Sequence, residues 1–359
     1  MAAVLAASWS AVLLLGERMT RVAVFNVSHF GMKIGNIIYN LGADKIAALH
    51  RFFGDEVYNG PWNPVEAWLA DKLYFSVIFT WDLPKLIENV KLATSWGKRI
   101  EVGGPAASLL PELIFKETGL HPHQGLDARF ERFPGDYKMT FTSRGCPHKC
   151  PFCAVKTLEP EAIEYEDYPL APMVSDNNLI ATSWEHQLRF VNNFGNFDRK
   201  IDINSGFDCR FFTEEHFELY SKLKLKVWRF AFDTLDVEPD VVRVCELMRL
   251  HGLDRHNVTF YALLGFPGTT PEENLYRLNT IIKLGMAPYP MRYIPINRTD
   301  HRYVAPGFTQ EFLFKAQTYY ISPFLWMNES FVNFHPGRNK WVVKQRNERK
   351  LLREEMHLG

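Results

Sequence analysis

From Arg21 to about Pro134, short apolar runs alternate with stretches of helical period. Val22 to Val27 reads as a strand. Ile46, Leu49 and Phe53 recur at helical spacing within Asp44 to Phe53, and Leu73 to Thr80 is a continuous β-branched and aromatic run, the mark of a buried strand. Leu83, Leu86, Ile87 and Val90 make a helix stripe that stops at Gly97, and Arg99 to Val102 is a further strand that ends in Gly103-Gly104-Pro105. This rhythm predicts a parallel sheet with helices on both faces.

From Tyr137 to about Arg298 the alternation resumes, and each predicted strand is followed by a polar or glycine-rich cluster. Met139 to Thr142 leads into a cysteine-rich loop, Met173 to Ser175 into Asp176-Asn177-Asn178, and Ile201 to Asn204 into Gly206-Phe207-Asp208-Cys209-Arg210. Lys226 to Phe232 precedes Asp233-Thr234, Val258 to Leu264 precedes Gly265-Phe266-Pro267-Gly268, and a last strand is expected near Met291 to Ile296. Six strands with chemistry at their C-terminal ends predict an incomplete (β/α)6 barrel. Thr270-Pro271-Glu272-Glu273 reads as a capping box with proline at the first helical position. After about His301 the alternation stops, and the aromatic stretch Phe308 to Met327 is expected to cover one end of the barrel.

The predicted class is α/β: an N-terminal Rossmann-like parallel sheet over 19–135, a partial barrel over 136–300 and a mainly helical C-terminal tail over 301–359. Residues 1–18 are apolar from Ala2 to Leu15, shorter than the roughly 20 residues of a membrane span, with no basic region before them. They are expected to be an extension ahead of Met19, poorly ordered or an added helix.

Length and composition agree with two domains: 359 residues, 47% hydrophobic, with 41 basic and 41 acidic side chains. The charge balance demands no polyanionic partner. Arg338 to Arg353 nevertheless carries seven Lys or Arg against one acid, Glu348. That stretch reads either as a solvated helix or as a phosphate-tracking surface with Trp341 for stacking. Five cysteines, three of them in one loop, argue against a disulfide scaffold and for a reducing, cytoplasmic compartment.

The loop itself, Ser143-Arg144-Gly145-Cys146-Pro147-His148-Lys149-Cys150-Pro151-Phe152-Cys153, spaces three thiols as C-x3-C-x2-C. Three soft thiolates on one short segment can hold three irons of a [4Fe-4S] cube and leave the fourth iron without a protein ligand. A structural zinc site is the competing reading. It needs four Cys or His in paired spacings, and only His148 lies close by.

With Phe152 before the last cysteine, the triplet resembles the signature loop of the radical S-adenosylmethionine (SAM) superfamily, and the match extends over roughly Lys138 to Arg298. The resemblance implies that Cys146, Cys150 and Cys153 ligate the cluster and that Phe152 packs near the cofactor's adenine. It places Asp176, Asn177 and Asn178 at the methionyl amino group and Arg210 at the cofactor carboxylate. It sets Asp233 and Thr234 at ribose or carboxylate, and the backbone of Gly265 and Pro267 beside the adenine. Cys209, next to Arg210, is a candidate redox or hydrogen-atom donor set against a reading as core. Cys245 reads as core.

The first half more faintly resembles the cobalamin-binding domain that precedes many such barrels. Its cobalt-ligating Asp-x-His-x-x-Gly run occurs nowhere here, which counts against cobalamin without deciding it, since some members bind the corrinoid without that element. The half also lacks cysteine, which speaks against a methylthiotransferase.

The resemblance implies reductive cleavage of SAM to a 5′-deoxyadenosyl radical, hydrogen abstraction from a substrate, and a flavodoxin- or ferredoxin-type electron donor. Compact members of this arrangement resemble phage DNA-hypermodification enzymes, so a DNA or nucleotide substrate is expected, with isomerisation of an aminoacyl-thymidine as the reaction. A phage origin would put it in the host cytoplasm. A cobalamin-assisted methylase of a small molecule or peptide is one alternative. A non-catalytic iron–sulfur or zinc protein that binds nucleic acid is another.

Overall fold

The structure is a computed structural model, and it describes residues 19–28, 39–131 and 133–336. The predicted extension over 1–18 and the basic stretch with Trp341 lie outside the described residues. The chain divides into two compact units. One is Met1–Thr140 with Ala154–Pro160 and Ile296–His301; the other is Phe141–Cys153 with Glu161–Pro295 and Arg302–Gly359. No described helix is long and apolar enough to cross a membrane.

The first unit is built on a four-stranded parallel sheet. Its strands are β1 (Arg21–Asn26), β2 (Glu56–Gly60), β3 (Lys72–Ser76) and β4 (Arg99–Gly103), in the order β2-β1-β3-β4. Helices Leu41–Phe52, Pro64–Leu69 and Leu83–Ser95 connect them. β1 is buried along Val22–Phe25 because helices cover both faces: Ala23 and Phe25 join one apolar cluster, Val22 and Val24 the other.

Two sequence expectations change here. β2 was not legible, because its residues EVYNG carry almost no apolar signal. The helix Leu41–Phe52 buries Ala43, Lys45, Ala47 and Ala48, with Ile46 and Leu49 of the expected stripe partly buried against the same cluster, while Phe53 is 50% exposed. The buried Lys45 is compensated by an ion pair with Glu131.

The strand order reverses between β1 and β3, the point at which a doubly wound sheet opens a crevice at its carboxyl edge. Here the crevice is filled with polar groups. Asn40 caps the helix Leu41–Phe52 by accepting from Ala43 N–H, and its Nδ2 donates to Ser76 O at 3.1 Å and Asn26 Oδ1 at 3.2 Å. Ser76 Oγ donates to Asn40 Oδ1 at 2.9 Å. The Gly-Gly-Pro turn closes the other side. Gly104 has φ +102°, and a Cβ there would lie 2.5 Å from Val77 O, so only glycine fits.

In the second unit, β6 (Ser143–Arg144) pairs antiparallel with β7 (Ile163–Glu164) and brackets the cysteine loop; β5 (Met139–Thr140) precedes it in sequence. The parallel strands are β8 (Met173–Val174), β9 (Asp202–Ile203), β10 (Trp228–Ala231), β11 (Val258–Leu264) and β12 (Ala287–Arg292). β11 spans the predicted residues and buries Val258, Phe260, Ala262 and Leu264 on alternate positions. The last strand begins earlier than expected. Pro288 and Pro290 sit inside it, which is tolerated because β12 is an edge strand paired only to β11.

The core of this unit is aromatic: Phe207, Phe212, Phe230, Phe232 and Phe260 are all nearly inaccessible. Each stabilises the fold by about 2 kcal/mol through burial. Helix Gln310–Tyr320 packs into the same core through Leu313, Ala316, Tyr319 and Tyr320, so the aromatic stretch after His301 contributes to the core of this unit. The capping box at Thr270 is half formed. Thr270 Oγ1 accepts from Glu273 N–H at 3.2 Å, while the Glu273 carboxylate reaches back along the helix to within 3.8 Å of Arg277 Nε.

Candidate functional site

The cysteine loop leaves its strand held from beneath. Asp176, at the end of β8, is fully buried, and its carboxylate accepts from Thr142 N–H at 2.5 Å, Thr142 Oγ1–H at 2.6 Å and Ser143 Oγ–H at 3.0 Å. Since the single Thr142 hydroxyl proton goes to Asp176, that oxygen can only accept from His186 Nε2, 2.9 Å away. His186 therefore carries its proton on Nε2. Asn177 Oδ1 accepts from Gly145 N–H at 2.9 Å, and Arg144 donates to Ser175 O at 2.8 Å.

Gly145 opens the loop proper, with φ +83°, where a Cβ would meet Glu161 O at 2.2 Å. The three cysteines that follow form no disulfide and are half-buried. Asn178 Nδ2 lies 3.6 Å from Cys146 Sγ and donates to Asp208 Oδ2 at 2.9 Å. Asp208 is a hub. It also accepts from Arg210 Nε at 2.7 Å and Nη2 at 2.9 Å, and it stands 2.9 Å from His148 Nε2. Burial raises the Asp208 carboxyl, but the Arg210 hydrogen bonds outweigh it and hold the group below its usual range. Burial likewise raises the Cys150 thiol, with Arg210 beside it pulling the other way.

Further round the mouth, Asp233 Oδ1 accepts from Leu263 N–H at 2.9 Å. Burial pushes its carboxyl up to about 6, against the opposing charge of Arg277. Arg277 is fully buried and donates to Phe232 O and Leu263 O, both at 2.8 Å, tying together the ends of β10 and β11. Thr234 precedes a short 3-10 turn, Leu235–Val237, without a side-chain cap. Gly265 has φ +70° and donates its N–H to Asn274 Oδ1 at 2.9 Å; Pro267 is exposed. Phe152 meets Phe266 edge-to-face at 5.6 Å, joining the cysteine loop to the Gly-Phe-Pro-Gly turn.

Two assignments from sequence are corrected. Asp176 does not face the mouth: all its hydrogen bonds go to Thr142 and Ser143, which makes it the anchor of the loop. Cys209 is 4% exposed in the aromatic core with its Sγ 3.8 Å from Ala231 O, and burial raises its thiol far above the normal range, so it is no redox or hydrogen-atom donor. Cys245 is core, as expected. Sequence reasoning missed Asp208 and Arg277. The only signal for Asp208 was an acid two residues before Arg210 at a strand end.

The donor set suits an iron–sulfur cluster: three thiols on one loop outside any disulfide, an amide N–H directed at one sulfur and a guanidinium beside another. Among the described residues, however, no three His, Cys, Asp or Glu are gathered closely enough to hold a metal ion as they stand. That bears on a single ion such as zinc; in a cubane each thiolate holds a different iron, so the three sulfurs need not meet at one point. A zinc site that enlists His148 fits less well, since that ring faces Asp208 and stacks on Phe211 at 5.2 Å.

No family model and no curated protein matches the chain. Solved structures do. TsrM from Kitasatospora setae, a radical SAM methyltransferase with cobalamin and a [4Fe-4S] cluster bound, superposes with TM-score 0.54 at 12% identity, covering 76% of this chain and 75% of that one. The same enzyme with its tryptophan substrate and a SAM analogue gives 0.55 at 12% identity, over 76% and 72% of the two chains. At that identity the likeness is one of fold, and it takes in most of both chains: this chain has the fold seen in TsrM.

Proposed function

We propose that the protein is a radical SAM enzyme. The observation that carries this reading is the approach of Asn178 to Cys146 Sγ and of Arg210 to the Cys150 thiol, both held by Asp208. When bound at this loop, a reduced [4Fe-4S] cluster supplies the electron for reductive cleavage of SAM to methionine and a 5′-deoxyadenosyl radical. Cys146, Cys150 and Cys153 hold it, and a flavodoxin- or ferredoxin-type protein of the same reducing compartment delivers the electron.

The chain's own groups bind and orient the cofactor. Asn178 Oδ1 is a buried acceptor with no hydrogen-bond partner, the chemistry that a methionyl ammonium needs. Arg210 is held by Asp208 through Nε and Nη2, with its side chain 35% exposed, which leaves N–H groups for a carboxylate. Asp233 and Thr234 are assigned to the ribose hydroxyls. Phe152 and Phe266, with the backbone at Gly265 and Pro267, flank the adenine, while Asn177 keeps Gly145 and the loop in register.

For the outcome on the substrate, the fold favours cobalamin-assisted methyl transfer, because TsrM is a methyltransferase solved with cobalamin. The first unit has a cavity of about 660 Å³ at the carboxyl ends of β1 and β2, lined in part by Asn26, Ala43, Asp44, Asn59 and Tyr137. Isomerisation of an aminoacyl-thymidine rests on the resemblance to phage DNA-hypermodification enzymes, with which the basic stretch 338–353 of the sequence is compatible, and it gains if no corrinoid binds.

The test is anaerobic reconstitution with iron and sulfide, then dithionite and SAM, with 5′-deoxyadenosine as the readout. Wild type is expected to form it and Cys150→Ala is not. Stoichiometric zinc, with no product from either, would overturn the proposal. Corrinoid absorbance after incubation with hydroxocobalamin separates the two outcomes.

A further inference from the structure

Asn178 is joined to both Cys146 and Asp208 through the same nitrogen. Its orientation is fixed chemically, since an ionised carboxylate only accepts: the group 2.9 Å from Asp208 Oδ2 must be the amide NH2, and that same NH2 is the one 3.6 Å from Cys146 Sγ. Asn178 is 6% exposed, so water does not compete for the bond. Asp208 is itself immobilised by Arg210, and its side chain is 8% exposed. The donor is thus preset before any cluster is present.

Hydrogen bonds to ligand sulfurs stabilise the more negative, reduced state of an iron–sulfur cluster, and they are a principal means by which a protein sets its potential. We infer that Asn178 raises the reduction potential of a cluster bound at the cysteine loop by donating its side-chain N–H to Cys146 Sγ, with Asp208 as the residue that positions it. The inference rests on the radical SAM reading of the loop. It gives the asparagine that follows β8 a function directed at the cluster itself, in addition to cofactor binding.

The experiment uses the reconstituted full-length protein, with cluster content verified by iron and sulfide analysis, and an EPR-monitored redox titration without SAM. Asn178→Leu keeps the volume and removes the donor, and its midpoint is expected to move to more negative potential. Asn178→Asp sets a carboxylate against the sulfur and should move it further the same way. Cys209→Ala, in the core, should leave it unchanged. An unchanged midpoint in Asn178→Leu with full cluster content overturns the inference. Should the variants not hold a cluster, the wild type decides. With asparagine labelled at the side-chain amide with 15N, the reduced cluster must show a nitrogen hyperfine coupling by pulsed EPR, and its absence overturns the inference. Failure of the wild type to take up a [4Fe-4S] cluster is a different result, which refutes the reading of the loop itself.

Discussion

Asp176 and Thr142 are joined twice, through the Thr142 amide N–H and through its hydroxyl, with the carboxylate fully buried beneath the cysteine loop. Removing the carboxylate strands two hydroxyls and an N–H in a site closed to water. Asp176→Ala is therefore expected to cost about 3 kcal/mol of stability. It should also lower the iron bound on reconstitution. Asp176→Asn retains an acceptor and should recover part of both. Urea midpoints and iron content measure the effect, and an alanine variant as stable as wild type would remove Asp176 from its anchoring role.

Two glycines separate backbone strain from steric collision. Gly145 and Gly252 both have positive φ, but a Cβ at Gly252 meets nothing within 4 Å, whereas at Gly145 it would overlap Glu161 O. Gly252→Ala should cost about 1 kcal/mol, the price of the left-handed conformation alone. Gly145→Ala should cost at least about 3 kcal/mol and abolish cluster loading. Equal thermal shifts for the two variants would contradict the close approach of the 145 and 161 backbones.

His186 predicts a pH dependence. Burial lowers its pKa below the ordinary 6.5, against the opposing charges of Glu164 and Asp176. Below pH 6.5 the unfolded chain gains a proton that the folded imidazole refuses, so the unfolded state binds more protons and stability falls with falling pH. The contribution is complete above 6.5. His186→Gln should flatten the slope of stability against pH between about 6.5 and 5 in urea titrations. A slope identical to wild type would mean that the imidazole is not buried in neutral form.

The five cysteines should divide by reactivity. In the metal-free native protein under reducing conditions, iodoacetamide is expected to label Cys146, Cys150 and Cys153. It should spare Cys209 and Cys245, both buried, the latter with its thiol pushed up by burial to about 12. Unfolding exposes all five. Peptide mass spectrometry reads the pattern, and native labelling of Cys209 would return it to the list of reactive groups.

The sequence by itself determined the features that depend on neighbours along the chain. The C-x3-C-x2-C loop, the strand Val258–Leu264, the Gly-Gly-Pro turn and the helix stop at Gly97 were all legible, because spacing, periodicity and glycine's conformational range are local properties. β2 was not legible, since five largely polar residues become a strand only when β1 is there to pair with them. The division of labour among Asp176, Asn178 and Asp208 belonged wholly to the tertiary structure. All three are polar residues at strand ends, alike in sequence. What separates them is partner: Asp176 is closed beneath the loop on Thr142, while Asn178 and Asp208, 30 residues apart, meet at 2.9 Å beside a cysteine sulfur. A hydrogen bond needs two groups within about 3 Å, and only the fold brings distant residues that close.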